Sequence, residues 1–305
     1  MALKSTPFHL LGLRDFPVTA AQAIFHEAKL YKQHRATPPA KPLEGQTWAL
    51  IFSKSSTRTR VSFEVGIREL GGTSMFLSAN DIQLGRGEPI KDTARVLGRM
   101  IHGAVIRTFA QQDVVDFAQY SGIPTINALT DDEHPCQILT DIFTFEEKLG
   151  PIAGRKVAFI GDGACNVAVS WAYAAEHFKF QLAIAAPEGF ECPVHNSHVT
   201  HVRSPEEAVR NADLLYTDVW ISMGKEAEAA ERLKSFSGYQ INHALVKKAA
   251  PGALVLHCLP AYRDKEISEA LLEERIDDIM DQAENRMHVQ KGVMHWLAHM
   301  KYHNV

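Results

Sequence analysis

The chain has 305 residues, 46% of them hydrophobic and 22% charged, the composition of a soluble globular protein long enough for two compact domains. A formal net charge of -4 argues against nucleic acid or an anionic membrane as the main partner, and no run of 18 apolar residues is present to span a bilayer. Residues 1–5 lack the apolar core of a signal peptide, and Cys136, Cys165, Cys192 and Cys258 are spread widely with no C-x-x-C spacing, so a cytoplasmic protein with free thiols is expected.

The first strand-like run, 48–52, leads into Ser56-Thr57-Arg58-Thr59-Arg60 and then into a helical pattern over 58–70, where Phe63, Ile67 and Leu70 recur at helical spacing. A strand, a short polar turn and a helix start aim several backbone N–H groups at one spot, and the helix dipole adds positive potential there. Three hydroxyls and two guanidiniums in that place predict an oxyanion cradle, suited above all to phosphate. No G-x-x-x-x-G-K-[ST] pattern occurs, so the segment is not a nucleotide P-loop. The plainer reading of the same residues is a capped helix with solvated arginines.

Further strand-like runs at 73–77, 104–107 and 125–128 alternate with helical patterns at 91–100 and 113–120. Gln83 lies in the stretch Asp81-Ile82-Gln83-Leu84-Gly85, a loop beside glycine. Arg107 ends the third run, and His134-Pro135-Cys136-Gln137 follows the fourth. Gly150-Pro151-Ile152-Ala153-Gly154 then breaks the pattern and marks a domain boundary. The second half repeats the alternation, with strands at 156–160, 181–185, 214–217 and 254–257 and helices at 166–177, 206–211 and 242–248. Gly161-Asp162-Gly163-Ala164-Cys165-Asn166 follows its first strand, Asp218-Val219-Trp220-Ile221-Ser222-Met223-Gly224 its third, and His257-Cys258-Leu259-Pro260 its fourth. Residues 224–236, rich in Ala, Glu and Lys, read as a mobile, solvated element. A terminal helix is expected over 284–302, with Arg286 at its beginning.

Repeated β-α units predict two open parallel-sheet α/β domains, 1–149 and 150–305, with a cleft between them and the terminal helix, from about residue 284, returning to the first domain. Such sheets bind ligands beyond the carboxyl ends of their strands, so the polar clusters there are the site candidates. Taken singly they are unremarkable: His134 reads as a structural histidine, Cys258 as a small buried hydrophobe, Arg286 as half of a surface salt bridge. Five polar clusters in one topological position are harder to assign to chance. Gly161-x-Gly163 also invites a dinucleotide reading, with Glu188 as the ribose-binding acid, which would make the chain an NAD(P)-dependent oxidoreductase. Asn166 stands where the third glycine of that fingerprint belongs, and the reading leaves the 56–60 cradle unexplained.

Ser-Thr-Arg-Thr-Arg at 56–60, His-Pro-x-Gln at 134–137, Asp-Val-Trp-x-Ser-Met-Gly at 218–224, His-Cys-Leu-Pro at 257–260 and Glu-Asn-Arg-Met-His at 284–288 together resemble the aspartate/ornithine carbamoyltransferase family, in order and in spacing. The Ser-Met-Gly and His-Cys-Leu-Pro segments resemble its ornithine branch. Cys165, where members often carry a second asparagine, and Cys136, in the variable slot of His-Pro-x-Gln, are departures. The resemblance implies transfer of a carbamoyl group from carbamoyl phosphate to the δ-amine of L-ornithine, giving citrulline and phosphate for arginine biosynthesis. A related amine such as putrescine is the alternative acceptor. It implies no metal, no cofactor and no covalent intermediate.

By the same resemblance Ser56, Thr57, Arg58 and Thr59 hold the phosphate. Arg107 bridges toward the carbonyl oxygen, and Thr59, Arg107 and His134 surround the charge that develops on it. Gln137 and the backbone carbonyl of Cys258 or Leu259 hold the carbamoyl NH₂, and Arg286 helps polarise the group. Asn166 and the backbone at Met223 face the ornithine carboxylate, Asp218 and Ser222 take its α-amine, and Cys258 and Asp218 lie near the attacking δ-amine. Gln83 reaches into a neighbouring subunit's site, in a homotrimer.

Overall fold

The computed structural model describes residues 8–14, 16–82, 87–221 and 226–303; Gln83, Ser222 and Met223 lie outside the described residues. The chain divides into two units, Met1–Leu139 with Asn285–Val305, and Thr140–Glu284.

In the first unit, helix α1 (Val18–Gln33) precedes β1 (Thr47–Phe52), α2 (Thr57–Glu69), β2 (Thr73–Ser78), α3 (Ile90–Leu97), β3 (Gly103–Arg107), α4 (Gln111–Ser121), β4 (Thr125–Leu129) and the start of α5 (Pro135–Leu149). The strands make one parallel sheet in the order β2-β1-β3-β4. All of β3 and all but the first residue of β1 are buried. Parallel strands covered on both sides read as continuous apolar runs, which is why they are visible in the sequence. Ile51, Ala104, Ile106, Val114 and Phe117 share one core cluster.

The second unit carries β5 (Lys156–Ile160), α6 (Asn166–Phe178), β6 (Gln181–Ala185), β7 (Val199–Val202), α7 (Pro205–Val209), β8 (Leu214–Thr217), α8 (Ala229–Ser235), α9 (His243–Val246), β9 (Leu254–His257), α10 (Glu269–Glu274) and the first part of α11 (Ile276–His303). Its parallel sheet has the order β7-β6-β5-β8-β9, over a core that includes Ile160, Leu215, Val255 and Leu271. In both sheets the chain leaves its first strand to one side and later returns to the other. The switch points fall between β1 and β3 and between β5 and β8, where open α/β sheets hold their ligands.

Several elements differ from the sequence expectation. Helix α5 starts at Pro135, inside what reads as a polar turn. Proline suits the first helical position because its missing N–H has no partner there in any case. Helix α11 starts at Ile276, with Asp277 and Asp278 in the first turn where acidic groups favour the dipole, so Arg286 lies inside it rather than at its beginning. Its apolar pattern is masked by Asn285, His288, Gln290 and Lys291, all fully buried. Residues 229–235, expected as part of a mobile segment, form α8.

Within the first unit α11 packs closely on α1: a Cβ at Gly292 would sit 2.4 Å from the Ile24 carbonyl oxygen, so only glycine permits the approach. Lys291 Nζ donates to Glu69 Oε2 on α2 at 2.7 Å with the lysine side chain 1% exposed. No helix among the described residues is long and apolar enough to cross a membrane.

Candidate active site

The first unit gathers its site at the carboxyl ends of β1, β3 and β4. Ser56 caps α2: its Oγ accepts from the Thr59 backbone N–H at 3.2 Å, and its hydroxyl donates to Thr59 Oγ1 at 3.0 Å. Such a cap satisfies one helix-start donor and leaves others of the first turn directed outward. Arg58 Nε is buried and has no hydrogen-bond partner among the described residues. Arg60 is a correction. It pairs with Glu64 at 2.9 Å and lies 3.8 Å over the Phe76 ring, so the expected second guanidinium of the cradle is engaged along the helix and on β2.

Arg286 reaches the cradle from α11, its Nη2 donating to Thr59 Oγ1 at 2.9 Å. Arg107 stands at the end of β3, opposite Phe52 of β1 in register. Ser53 N donates to the Arg107 carbonyl at 2.8 Å, which holds the strand end against the cradle loop. The β3–β4 register shifts between Ile106 and Arg107, an irregularity of the kind that re-aims a side chain. His134 precedes α5, and Gln137 sits in the first turn of that helix, its N–H on the His134 carbonyl at 3.1 Å. Arg107, His134, Gln137 and Arg286 are all at least nine-tenths buried. Burial first, and then the positive charges of Arg286 and Arg107, hold His134 well below the usual histidine range. It is therefore a neutral imidazole beside two guanidiniums. Cys136 has a structural position, with its thiol on the Asn127 carbonyl at 3.4 Å and pushed up to about 12 by burial.

The second unit gathers a different set around its switch point. Asp218 follows β8 and Cys258 follows β9. The Cys258 thiol donates to Asp218 Oδ1 at 3.0 Å, and the Val219 N–H donates to the same oxygen at 2.8 Å. Burial, and then the Asp218 charge, push the Cys258 thiol well up, so sulfur is present as S–H and donates. Burial also raises Asp218. Asn166 is the first residue of α6 after Cys165, whose sulfur accepts weakly from Ala168 N at 3.5 Å. Cys165 is pushed well up by burial and then by the charges of Asp218 and Asp162, which places it in the same electrostatic neighbourhood.

The turn bearing Cys258 and Leu259 is held from behind. Leu259 has a φ of 56° and donates its N–H to His257 Nδ1 at 2.8 Å. The imidazole proton is thereby on Nε2, which faces Glu266 Oε1 at 3.2 Å with both side chains fully buried. Gln282 accepts the His257 N–H at 3.2 Å and donates to Asp141 at 2.6 Å. Gly163 has a packing reason of its own: a Cβ there would lie 2.8 Å from the Phe190 carbonyl oxygen and 2.9 Å from Cys192 N.

A family model for the aspartate/ornithine carbamoyltransferase carbamoyl-P binding domain matches residues 9–147, and one for the Asp/Orn binding domain matches residues 153–297. The chain belongs to the aspartate/ornithine carbamoyltransferase family. The ornithine carbamoyltransferase of Akkermansia muciniphila is 57% identical over 284 residues, covering 90% of this chain and 92% of that one. Among solved structures, the ornithine carbamoyltransferase of Pyrococcus furiosus superposes with a TM-score of 0.88 at 41% identity, covering 96% of this chain and 97% of that one. The anabolic ornithine carbamoyltransferase of Campylobacter jejuni gives 0.88 at 38% identity, covering 95% and 98%.

In this family member the sequence motifs do not show the long-range ion pairs that join the elements. Lys291 with Glu69, and Arg232 with Asp162 at 2.7 Å, are pairs separated by 222 and 70 positions in the chain. No periodicity or local motif signals such partners.

Proposed function

We propose that this chain transfers the carbamoyl group of carbamoyl phosphate to the δ-amine of L-ornithine, releasing L-citrulline and phosphate. The observation that carries the reading is the Ser56–Thr59–Arg286 hydrogen-bonded cradle, with Arg58 Nε unpartnered and the neutral His134 buried beside Arg107. Ser56, Thr57, Arg58 and Thr59 hold the phosphate, with Gln83 contributed by a neighbouring subunit. Arg107, His134 and Thr59 face the carbonyl oxygen as it gains negative charge, and Arg286 polarises the same group. Preorganised donors in a water-poor site are the largest available source of rate for such a step. Gln137 and the Cys258 or Leu259 carbonyl orient the carbamoyl NH₂.

On the amine side, Asn166 and the Met223 backbone take the α-carboxylate, and Asp218 and Ser222 the α-ammonium. Asp218 Oδ1 is occupied by Cys258 and Val219, and Oδ2 is the oxygen assigned to ornithine. The free δ-amine titrates like lysine, at about 10.4, so only its neutral fraction attacks near pH 7. The nitrogen lone pair forms the new C–N bond, the bond from the carbamoyl carbon to the phosphate oxygen breaks, and the departing phosphate takes the nitrogen's proton. We assign residues 1–149 to carbamoyl phosphate and residues 150–305 to ornithine, with the terminal helix from about residue 284 returning to the first domain.

The chain acts as a cytoplasmic homotrimer in arginine biosynthesis. The test is direct: phosphate release from carbamoyl phosphate should depend on added ornithine, with one citrulline formed per phosphate. Phosphate release that ignores ornithine would refute the reading.

A further inference from the structure

The Arg232–Asp162 ion pair has no part in the reaction as read above, yet it is almost fully buried, with side chains 9% and 8% exposed. We propose that Arg232, acting through Asp162 and the Trp220 carbonyl, is the positioning residue of the amino-acid half-site. It ties together the two loops at the switch point of the second sheet, one presenting Asn166 and the other Asp218. The inference rests on the proposed reaction, because it assigns these two loops to ornithine.

Asp162 belongs to the turn after β5. Its Oδ1 accepts the Ala164 N–H at 3.0 Å, and its backbone carbonyl accepts the Cys165 N–H at 3.2 Å, so the turn into α6 is built around this one residue. Its Oδ2 accepts from Arg232 Nη1 at 2.7 Å. The same Nη1 donates to the Trp220 carbonyl at 3.1 Å, on the loop that leaves β8 two residues after Asp218. Strands β5 and β8 are neighbours in the sheet, so the guanidinium spans two loops that rise side by side. Arg232 is itself held on α8, with Nε on Glu228 Oε2 at 2.9 Å and Cζ 5.0 Å from the centroid of the Phe190 ring. Trp220 stacks on Phe236 at 5.5 Å and 14°.

Stability alone accounts poorly for this arrangement. Replacing a buried ion pair by apolar side chains of similar volume is often neutral or stabilising, so a buried charge pair is weak support for a fold. What a planar, five-donor guanidinium supplies is fixed geometry among acceptors on separate segments. Displacing a substrate contact by about 1 Å can lower the rate about a hundredfold, so loops that hold the two ends of one small amino acid need such a tie.

The experiment uses the full chain and two ligands. Inorganic phosphate, titrated calorimetrically, reports the cradle. 2-Aminopentanoate, which is ornithine without its δ-amine, is titrated with carbamoyl phosphate present and reports the amino-acid half-site without turnover. Arg232→Gln should weaken 2-aminopentanoate at least about tenfold and raise the ornithine KM similarly, while phosphate affinity stays within about twofold. Arg232→Lys, which keeps the charge but loses the fork, should fall between parent and Arg232→Gln. Should Arg232→Gln fail to fold, Asp162→Asn and Arg232→Lys carry the same comparison. A folded variant with unchanged 2-aminopentanoate affinity, or one that loses both ligands equally, overturns the inference. A parent chain that binds no 2-aminopentanoate and turns over no ornithine overturns the proposed reaction and this inference with it.

Discussion

Arg286 donates to Thr59 Oγ1 at 2.9 Å although 227 positions separate them in the chain. The contact ties the C-terminal helix to the first turn of α2, and Ser56 completes it by donating to the same oxygen at 3.0 Å. An oxygen that takes two donors is held in one place, so Ser56, Thr59 and Arg286 share one fixed point.

Arg58 is the cradle residue most open to a direct test. A hydrogen bond to a charged group contributes about 1.5–3 kcal/mol, so Arg58→Ala should weaken phosphate or carbamoyl phosphate by about ten- to a hundredfold with the fold retained. Arg60→Ala removes a guanidinium already paired with Glu64 and should weaken phosphate less. Calorimetric affinities that rank the two variants in the opposite order would contradict the placement of Arg58.

Two histidines of the first unit make its stability depend on pH. Burial holds His9 at about 4 and, with the neighbouring arginines, holds His134 well below the ordinary value of about 6.5. Below pH 6.5 the unfolded chain takes up protons that the folded chain refuses, so stability falls as the solution is acidified from pH 7 toward 5. His134→Gln removes one such site and should flatten the decline in Tm over that interval, where about 1 kcal/mol corresponds to a shift of about 2–4 °C. Parallel Tm curves for parent and variant would contradict a buried neutral His134.

Cys258 should behave as a hindered thiol. Burial and the Asp218 charge both push its pKa up, so alkylation by iodoacetamide at pH 8 should be slower than that of an unhindered cysteine. Asp218→Asn removes the charge and should quicken labelling of Cys258, while reducing ornithine turnover and sparing phosphate binding. Mass spectrometry of the labelled peptide reads the rate. Labelling as fast as a free thiol, and indifferent to Asp218→Asn, would contradict the contact.

The shared-site reading predicts complementation. Arg107→Ala and Gln83→Ala should each be inactive alone, and a mixture should recover some activity after subunit exchange because some interfaces combine two intact halves. A fully active monomer in sedimentation would rule this out.

The buried parallel strands and the residues just after them were legible in the sequence because continuous apolar runs and motifs such as Ser56-Thr57-Arg58-Thr59 are local signals. What escaped was non-local or disguised. Helix α11 hides its buried face behind Asn285, His288, Gln290 and Lys291, and α5 opens on a proline that reads as a turn. Arg60 looked equal to Arg58 until the path of α2 turned it toward Glu64 and Phe76. Arg232 lies in a stretch whose Ala, Glu and Lys content suggests solvent, and only the tertiary contact with Asp162 shows that its charge is buried.

The choice of amine tests the central claim most directly. Ornithine differs from putrescine by its α-carboxylate and from N-acetylornithine by a free α-ammonium. Asn166 and Asp218 are assigned to those two groups, and a site built for both penalises an analogue that leaves either unpaired. Measured side by side with carbamoyl phosphate, kcat/KM for ornithine should exceed that for putrescine, N-acetylornithine and aspartate by at least about a hundredfold. A value for putrescine that equals or surpasses that for ornithine would contradict the account.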